Sequence, residues 1–288
     1  MTATILNITT IFFYFISWLL ITLTVRADIN NPEKKFNKGK LYFVTWLIAL
    51  IAHIVMLHFP LIQGEPLVFG FVTLASYVMW FISLILFIST LKRKIESLAI
   101  MILPFTILSI IMTITLGTGS ISINMKSGVG VHVLLSLLAY SLLMLASFQA
   151  LLLATQNNHL HSHQSSGFIR TLPSLEDMEH ILFRFISIGL FLLTLGLITG
   201  FYFLDNLFGS NVAHKTILSI ISWFIFSALL IGRWKYGWRG KRAVRWTLTG
   251  FAVLALAFFG TKFIQEYILD KKPTQTSTPH SQMMKKSN

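Results

Sequence analysis

The chain of 288 residues contains no cysteine. This absence excludes disulfides, thiolate metal sites, iron–sulfur clusters, cysteine nucleophiles and a thioether link from this chain to a cofactor. Charged residues are also scarce, at 11% of the chain against about 25% in soluble domains. Hydrophobic residues make up 55%, more than a soluble globule of this size can bury. The composition therefore excludes an ordinary soluble enzyme and predicts a polytopic membrane protein.

The charge that is present is strongly basic, with 23 Lys and Arg against 10 Asp and Glu. On a soluble protein such an excess would suggest nucleic acid, but no soluble nucleic-acid motif with a basic face is present. The basic residues instead lie in short loops beside apolar runs, the pattern that orients membrane proteins. We therefore expect the lipid bilayer, and no nucleic acid, as a partner of this chain.

Eight apolar stretches are long enough to cross a bilayer, which takes about 20 helical residues. They predict an all-α, polytopic membrane helix bundle of about eight transmembrane helices, at Thr4–Val25, Leu41–Ile62, Leu67–Leu91, Leu98–Leu116, Val131–Ala154, Ile181–Phe203, Thr216–Ile231 and Val244–Ile268. Residues 1–270 then form a single membrane domain. Residues 271–288 are rich in Ser, Thr, Gln and Pro, which predicts a disordered polar tail.

The loops between these stretches alternate in charge. Those after the first, third, fifth and seventh spans carry most of the basic residues. The other internal loops hold only Lys126 and Lys215, with Glu65 and Asp205. The positive-inside rule then places the basic loops in the cytoplasm and the N-terminus outside. With eight spans the C-terminal tail would also lie outside, and its lysines disagree with this orientation. The basic residues of the cytoplasmic loops outnumber these lysines, so we keep the orientation.

The predicted spans contain no Asp or Glu in their central thirds. This argues against a carboxylate proton relay or a carboxylate cation site. The spans do contain histidine. His53 lies near the middle of the second span, where its N–H needs a partner, and His58 lies nearer the outer end of the same helix. These two rings are about 140° apart around the helix, so they do not predict one small metal site.

Two further histidines fall on the outer side of this topology. His132 opens the fifth span, and His214 precedes the seventh. A histidine near a helix end usually packs or lies at the interface, so each of these residues has a structural alternative. In the long cytoplasmic loop Gln156–Glu179, three histidines at alternate positions form only a weak metal motif. They are His159, His161 and His163.

Neutral imidazole is the usual axial ligand of haem iron. An apolar groove between helices can hold the macrocycle, and Lys126 or Lys215 can meet its propionates. The outer histidines therefore suit a haem site that opens outward, with His132 and His53 as the candidate iron ligands.

Three stretches resemble the cytochrome c assembly family of membrane proteins (CcsA-, ResC- and HemX-like), and in particular its shorter YpjD and HemX branch. They are Gly128–Tyr140, which bears His132, then Met178–Gly200, and then His214–Gly240 with its Gly-Arg and Gly-Trp-Arg-Gly motifs. The resemblance covers about Leu41–Leu269 and is strongest over residues 128–264. It implies a bacterial inner-membrane protein that handles haem together with other cytochrome c assembly proteins.

The resemblance also implies roles for single residues. His132 matches the first of two outer histidines that flank a Trp-rich motif in the haem-handling members. In this chain Phe203–Ala213 replaces the Trp-rich segment, and Phe259–Glu266 stands where the second outer histidine is expected. His58-Phe-Pro-Leu is similar to a membrane-histidine motif of the larger members. These departures favour an accessory or transfer role over a complete synthase.

The sequence thus predicts a haem-binding membrane protein that is not an enzyme. The candidate haem ligands, in order, are His132, His53, His214 and His58. Two alternatives remain open at this point. In one, the chain is a small-solute permease or an accessory subunit without haem, and the histidines gate or pack. In the other, it is a scaffold for another membrane complex.

Overall fold

The computed structural model describes residues 2–30, 39–64, 70–91, 95–116, 127–161, 172–203 and 213–260. These residues form eight α-helices, and no strand occurs among them. The helices are α1 (Thr2–Asn30), α2 (Gly39–Ile62), α3 (Phe71–Thr90), α4 (Glu96–Leu116), α5 (Ser127–His161), α6 (Leu175–Phe203), α7 (Ala213–Tyr236) and α8 (Lys241–Ala255).

Seven helices, α1 to α7, are long and apolar enough to cross a membrane. The described part of α8 has 15 residues and continues into a π-helical turn, Leu256–Gly260. The rest of the eighth predicted span lies outside the described residues, as does the predicted disordered tail. Large apolar side chains are exposed along α1 and on the outer faces of the other helices, as a lipid environment requires. The prediction of an all-α membrane bundle is confirmed.

Three helices extend further than the sequence predicted. α5 continues to His161, so His159 and His161 belong to its last turns and not to a loop. α6 begins at Leu175, so Glu176, Asp177 and Glu179 lie in its first turns and not in the predicted loop Gln156–Glu179. The Ser174 hydroxyl caps this start by accepting a hydrogen bond from the Asp177 N–H at 3.2 Å. α7 begins at Ala213, so His214 and Lys215 lie in its first turn.

The helices pack as two rings of four. In the first ring α1 contacts α2 and α4, while α3 contacts α2 and α4. In the second ring α5 contacts α6 and α8, while α7 contacts the same two helices. Contacts between α3 and α5 join the rings. The start of α8 and the end of α7 carry many Lys and Arg residues, so we call this the basic end and the other the opposite end.

The interior of the first ring is filled by large side chains that hydrogen-bond between helices. Trp46 Nε1 donates to the Ser83 hydroxyl at 2.8 Å, and Trp80 Nε1 donates to the Leu50 carbonyl at 2.9 Å. Trp18 Nε1 donates to a carbonyl of α4 at 3.0 Å. Since buried polar groups in an apolar bundle need partners, these bonds fix how the four helices pack.

A charged cluster fastens the basic end of the second ring. The buried Glu179 carboxylate of α6 accepts a hydrogen bond from Arg239 Nε and another from the Gly240 N–H, both at 2.8 Å. Arg233 of α7 lies 3.8 Å from the same carboxylate. The loop between α7 and α8 can turn here because Gly237 and Gly240 adopt positive φ values of 63° and 54°. Glu179 therefore fixes the start of α8 against α6.

Candidate functional site in the second helix ring

A cavity of about 420 Å³ opens inside the second ring at the opposite end of the bundle. This volume falls in the range of about 300–1,000 Å³ that is typical of small-molecule sites. Its walls come from α5, α6, α7, the end of α8 with its π-helical turn, and one residue of α3. Most of the lining is apolar, and the polar side chains are few: His132, Ser136, Tyr140, Lys215, Thr216 and Ser219.

Two glycines of α6 make room for this cavity and for the ring of His132. A Cβ on Gly200 would lie only 2.9 Å from His132 Cε1, whereas a Cβ on Gly196 would lie 3.4 Å from the nearest atom of Ser136. The Gly-x-x-x-Gly spacing therefore brings α6 close to α5 where the imidazole lies. At Gly200 any side chain would displace the ring.

The imidazole of His132 is held in one orientation by a backbone carbonyl. Its Nδ1 lies 2.9 Å from the Gly196 oxygen, and the Thr199 hydroxyl donates to the same oxygen at 3.0 Å. Because a carbonyl oxygen only accepts, Nδ1 carries the proton in the neutral ring. Nε2 then keeps the lone pair, which is the state that a metal ion can bind.

Aromatic rings form the inner wall of the cavity. Tyr140, two helical turns below His132 on α5, stacks on Phe258 with ring centroids 4.9 Å apart. The ring of Phe251 also packs against Tyr140, with the ring centroids 5.4 Å apart. Both Tyr140 and Phe258 line the cavity. This wall offers flat apolar surfaces to a ligand and separates the cavity from the basic end.

The other predicted site residues do not line this cavity. His53 is fully buried in the first ring, where the Tyr14 hydroxyl lies 3.2 Å from its Nδ1 and the Ser76 hydroxyl 3.0 Å from its Nε2. Both of its ring nitrogens thus have a partner, and a metal would have to replace one of them. His58 Nδ1 lies 3.0 Å from the Ile54 carbonyl of its own helix, and its ring packs edge-on against Tyr77.

His214 lies nearer to the cavity along the chain, since the next residue, Lys215, is part of the lining. The side chain of His214 itself is exposed. The structure therefore brings His132 and Lys215 to one cavity and does not bring His53 or His58 there. Within the described residues no group of three or more His, Cys, Asp or Glu side chains is placed to hold a metal ion. Lys126 and most of the segment Phe259–Glu266 lie outside the described residues.

Several residues of the site carried no signal that sequence reasoning used. In the sequence, nothing distinguishes three of them from ordinary core or interface residues: Ser136, Tyr140 and Phe258. They come together only because α5, α6, α7 and α8 pack around one cavity. The Gly-x-x-x-Gly spacing of Gly196 and Gly200 indicates a close helix contact, but it does not predict the contacts with Ser136 and His132. The spacing of His132, Ser136 and Tyr140 at four-residue steps was the available signal, because it puts the three on one helix face.

The residues that line the cavity fit a haem. One neutral imidazole supplies a nitrogen ligand, apolar and aromatic walls suit a flat macrocycle, and a lysine at the mouth suits a carboxylate. Within the described residues the lining includes only one histidine. The donor set therefore matches a haem held by one protein ligand.

Comparisons with known proteins give the chain a family context. The model of the family described as cytochrome C assembly protein matches residues 67–269. The inner membrane protein YpjD of Escherichia coli is 29% identical over 241 residues, which cover 82% of this chain and 90% of that protein. An uncharacterized 28.8 kDa protein of Azospirillum brasilense is 27% identical over 69% of this chain and 74% of its own length.

A more distant similarity is confined to a third of the chain. The cytochrome c biogenesis protein CcsA of Prochlorococcus marinus is 34% identical over 91 residues, which cover 31% of this chain and 29% of that protein. No solved structure matches the chain. The family match covers the cavity described above, because every lining residue falls between residues 67 and 269.

Proposed function

Because this chain belongs to the cytochrome c assembly protein family, as the sequence resemblance predicted, we propose that it binds haem in the cavity of its second helix ring and acts as an accessory or transfer protein in cytochrome c biogenesis. One observation carries this proposal. The cavity-lining imidazole of His132 is oriented by the Gly196 carbonyl so that its Nε2 keeps a lone pair.

In this proposal His132 is the iron ligand. The apolar walls from α6 and α8 exclude water from the macrocycle, and Tyr140 with Phe258 limits how deeply it enters. Lys215 at the mouth provides a positive charge for a propionate. Haem, when bound, would supply a redox-active iron, while the protein's own task is to hold the group in a defined orientation and to release it.

The other predicted ligands have different places in the proposal. His214 lies one residue from Lys215 and is the candidate for a second contact at the mouth. For His53 we favour a packing role, since both ring nitrogens are hydrogen-bonded. His58 remains a prediction from the sequence. The binding role proposed here needs no catalysis.

We further propose that the chain lies in a bacterial inner membrane, with the cavity at the outer face and the basic end in the cytoplasm. The name of the similar YpjD protein and the positive-inside distribution of charge support this assignment. The partners would then be haem and other cytochrome c assembly proteins.

Absorbance spectroscopy of the purified protein tests the haem proposal. Added haem should give a Soret band that saturates at one haem per chain and is much weaker in His132→Ala. His180→Ala is the matched control, because His180 is exposed at the basic end and far along the chain from the cavity. A protein that stays colourless with added haem would favour the alternative of a permease or accessory subunit without haem.

A further inference from the structure

A second cavity lies at the basic end of the same helix ring. It has a volume of about 300 Å³ and is formed where the end of α5, the start of α6 and the start of α8 meet. It shares no lining residue with the cavity at His132. The haem proposal does not use this space.

The lining combines cations, amides and apolar groups. Lys241 and Arg245 contribute the charges, and because they are four residues apart they project from one face of α8. Asn157 and Asn158 at the end of α5 contribute amides, which donate hydrogen bonds to anions. Apolar side chains form the remaining wall: Leu153, Ala154, Leu175 and Val244.

Within the described residues, no ion pair neutralises the two cations of this cavity. Its one acidic residue, Glu179, already accepts hydrogen bonds from Arg239 and the Gly240 N–H. Among the described residues, neither Lys241 nor Arg245 lies within 4 Å of a carboxylate. The neighbouring segment 162–171 contains no Asp or Glu, so it cannot supply one.

We propose that this cavity binds the phosphate-bearing headgroup of an anionic phospholipid. Two cations and two amides suit phosphate oxygens, and the apolar wall suits the glycerol and first acyl carbons of a lipid. The position of the cavity favours a lipid over a free phosphate ester. Trp238 and Trp246 lie at the same end of the bundle and close in sequence to the cationic lining residues, and their rings, 5.2 Å apart, mark the interfacial level.

The lipid would bridge α8 to α5 at the end of the ring opposite the haem cavity. Glu179 fixes α8 to α6, and no described charge pair fixes α8 to α5 at this end. A headgroup held by Lys241 and Arg245 on α8 and by Asn157 on α5 would supply that missing link. The proposal is independent of haem binding, which depends on residues of the other cavity.

Native mass spectrometry of the full chain in detergent tests this inference. The probes are phosphatidylglycerol, the zwitterionic phosphatidylcholine, and glycerol 3-phosphate as the soluble source of the same chemistry. We expect one tightly bound phosphatidylglycerol and no comparable binding of phosphatidylcholine. Tight binding of glycerol 3-phosphate with equal strength would overturn the lipid assignment in favour of a soluble phosphate ester.

Two sets of variants distinguish binding at a defined site from non-specific attraction to a basic surface. Lys241→Gln with Arg245→Gln should weaken phosphatidylglycerol binding roughly 30-fold, since each cation near an anionic surface contributes about fivefold. Arg242→Gln removes an exposed charge that does not line the cavity and should weaken binding less than threefold. Equal losses from both changes would contradict a defined site.

A third variant keeps every charge and fills the space. Ala154 lines the cavity, so Ala154→Leu should reduce phosphatidylglycerol binding at least tenfold while the charges at Lys241 and Arg245 stay in place. An unchanged elution volume and an unchanged unfolding temperature would show that this variant folds. Full lipid binding by a folded Ala154→Leu protein would overturn the proposal.

Discussion

Nδ1 of His132 and the carbonyl oxygen of Gly196 lie 2.9 Å apart, so a backbone group of α6 fixes a side chain in the second turn of α5. A metal-bound histidine commonly donates its other ring N–H to a carboxylate side chain, which fixes the orientation of the ring. A backbone carbonyl has the same effect, because its oxygen can only accept that hydrogen bond. The Gly196 oxygen cannot be removed by mutation, but the space around the ring can be changed. The glycine one turn further on provides that test.

Replacing Gly200 by alanine should weaken haem binding at least tenfold. The new Cβ would lie 2.9 Å from His132 Cε1, closer than a methyl group can approach a ring carbon. Either the imidazole turns away from the Gly196 carbonyl or the two helices move apart, and each response misplaces Nε2. The measurement is a titration of haem into purified protein, followed by Soret absorbance.

The matched control for this prediction is Gly196→Ala. Its Cβ would lie 3.4 Å from the nearest atom of Ser136, an ordinary contact distance. Both variants add one methyl to the same face of α6, so a difference between them isolates the contact with the imidazole. If Gly200→Ala binds haem as tightly as Gly196→Ala does, the cavity is not the haem site.

The buried His53 should matter for stability and not for haem. His53→Ala removes a side chain that is fully buried and leaves the hydroxyls of Tyr14 and Ser76 without this partner. We expect a loss of about 2–4 kcal/mol in the free energy of unfolding, from the space created and the lost hydrogen bonds. Thermal unfolding in detergent measures the change.

Tyr14→Phe gives a milder test of the same network, because it removes a single hydroxyl. The expected cost is about 1 kcal/mol. The Soret band should persist in both variants when they are compared below their unfolding temperatures. A folded His53→Ala protein without a Soret band would return His53 to the ligand role that the sequence predicted.

Glu179 should contribute far more to stability than its neighbour Glu176. Glu179→Gln removes the charge that binds Arg239 and lies near Arg233, and we expect a loss of about 1–3 kcal/mol. Glu176 is exposed and lies 3.9 Å from the exposed His180, so Glu176→Gln should change stability by less than about 0.5 kcal/mol. Thermal unfolding at neutral pH compares the two, and equal effects would contradict the fastening role.

Orientation in the membrane can be measured directly because the chain has no cysteine of its own. Tyr236→Cys places a thiol at the exposed end of α7, and Ser122→Cys places one in the segment between α4 and α5. We expect an impermeant maleimide added to intact cells to label only the second variant, because the positive-inside rule places the basic end in the cytoplasm. Labelling of only the Tyr236→Cys variant would invert the topology.

The number and type of helices could be predicted because hydrophobic length is a property of the local sequence. The apolar stretch near Leu41–Ile62, for example, corresponds closely to α2. Helix ends were predicted less well. α5 runs on through polar residues to His161, and α6 starts within an acidic cluster. Polar contacts support these turns without adding hydrophobicity: Gln156 Nε2 donates to the Pro173 carbonyl, and the Ser174 hydroxyl caps α6.

The assembly of the site could not be predicted from the pattern alone. The sequence allows an estimate of how far each histidine lies from the membrane surface. It does not show to which ring of helices that histidine belongs. His132 and His53 were thus the two leading candidate ligands, whereas the structure puts His53 in the packed first ring and His132 in the cavity of the second. Two tryptophans at the basic end differ in burial in a way that the sequence does not predict. Trp238 packs on Gly232, whereas Trp234 stays 77% exposed.

Chemical rescue of His132→Ala is the most direct measurement of whether this imidazole binds haem iron. Added haem should give little Soret absorbance with the variant, and free imidazole should restore the band because it fits the vacated space and supplies the same nitrogen. Pyrrole, which has a similar size but no available lone pair, should not restore it. If the variant and the unmodified protein give the same band, with no response to imidazole, then His132 is not the ligand.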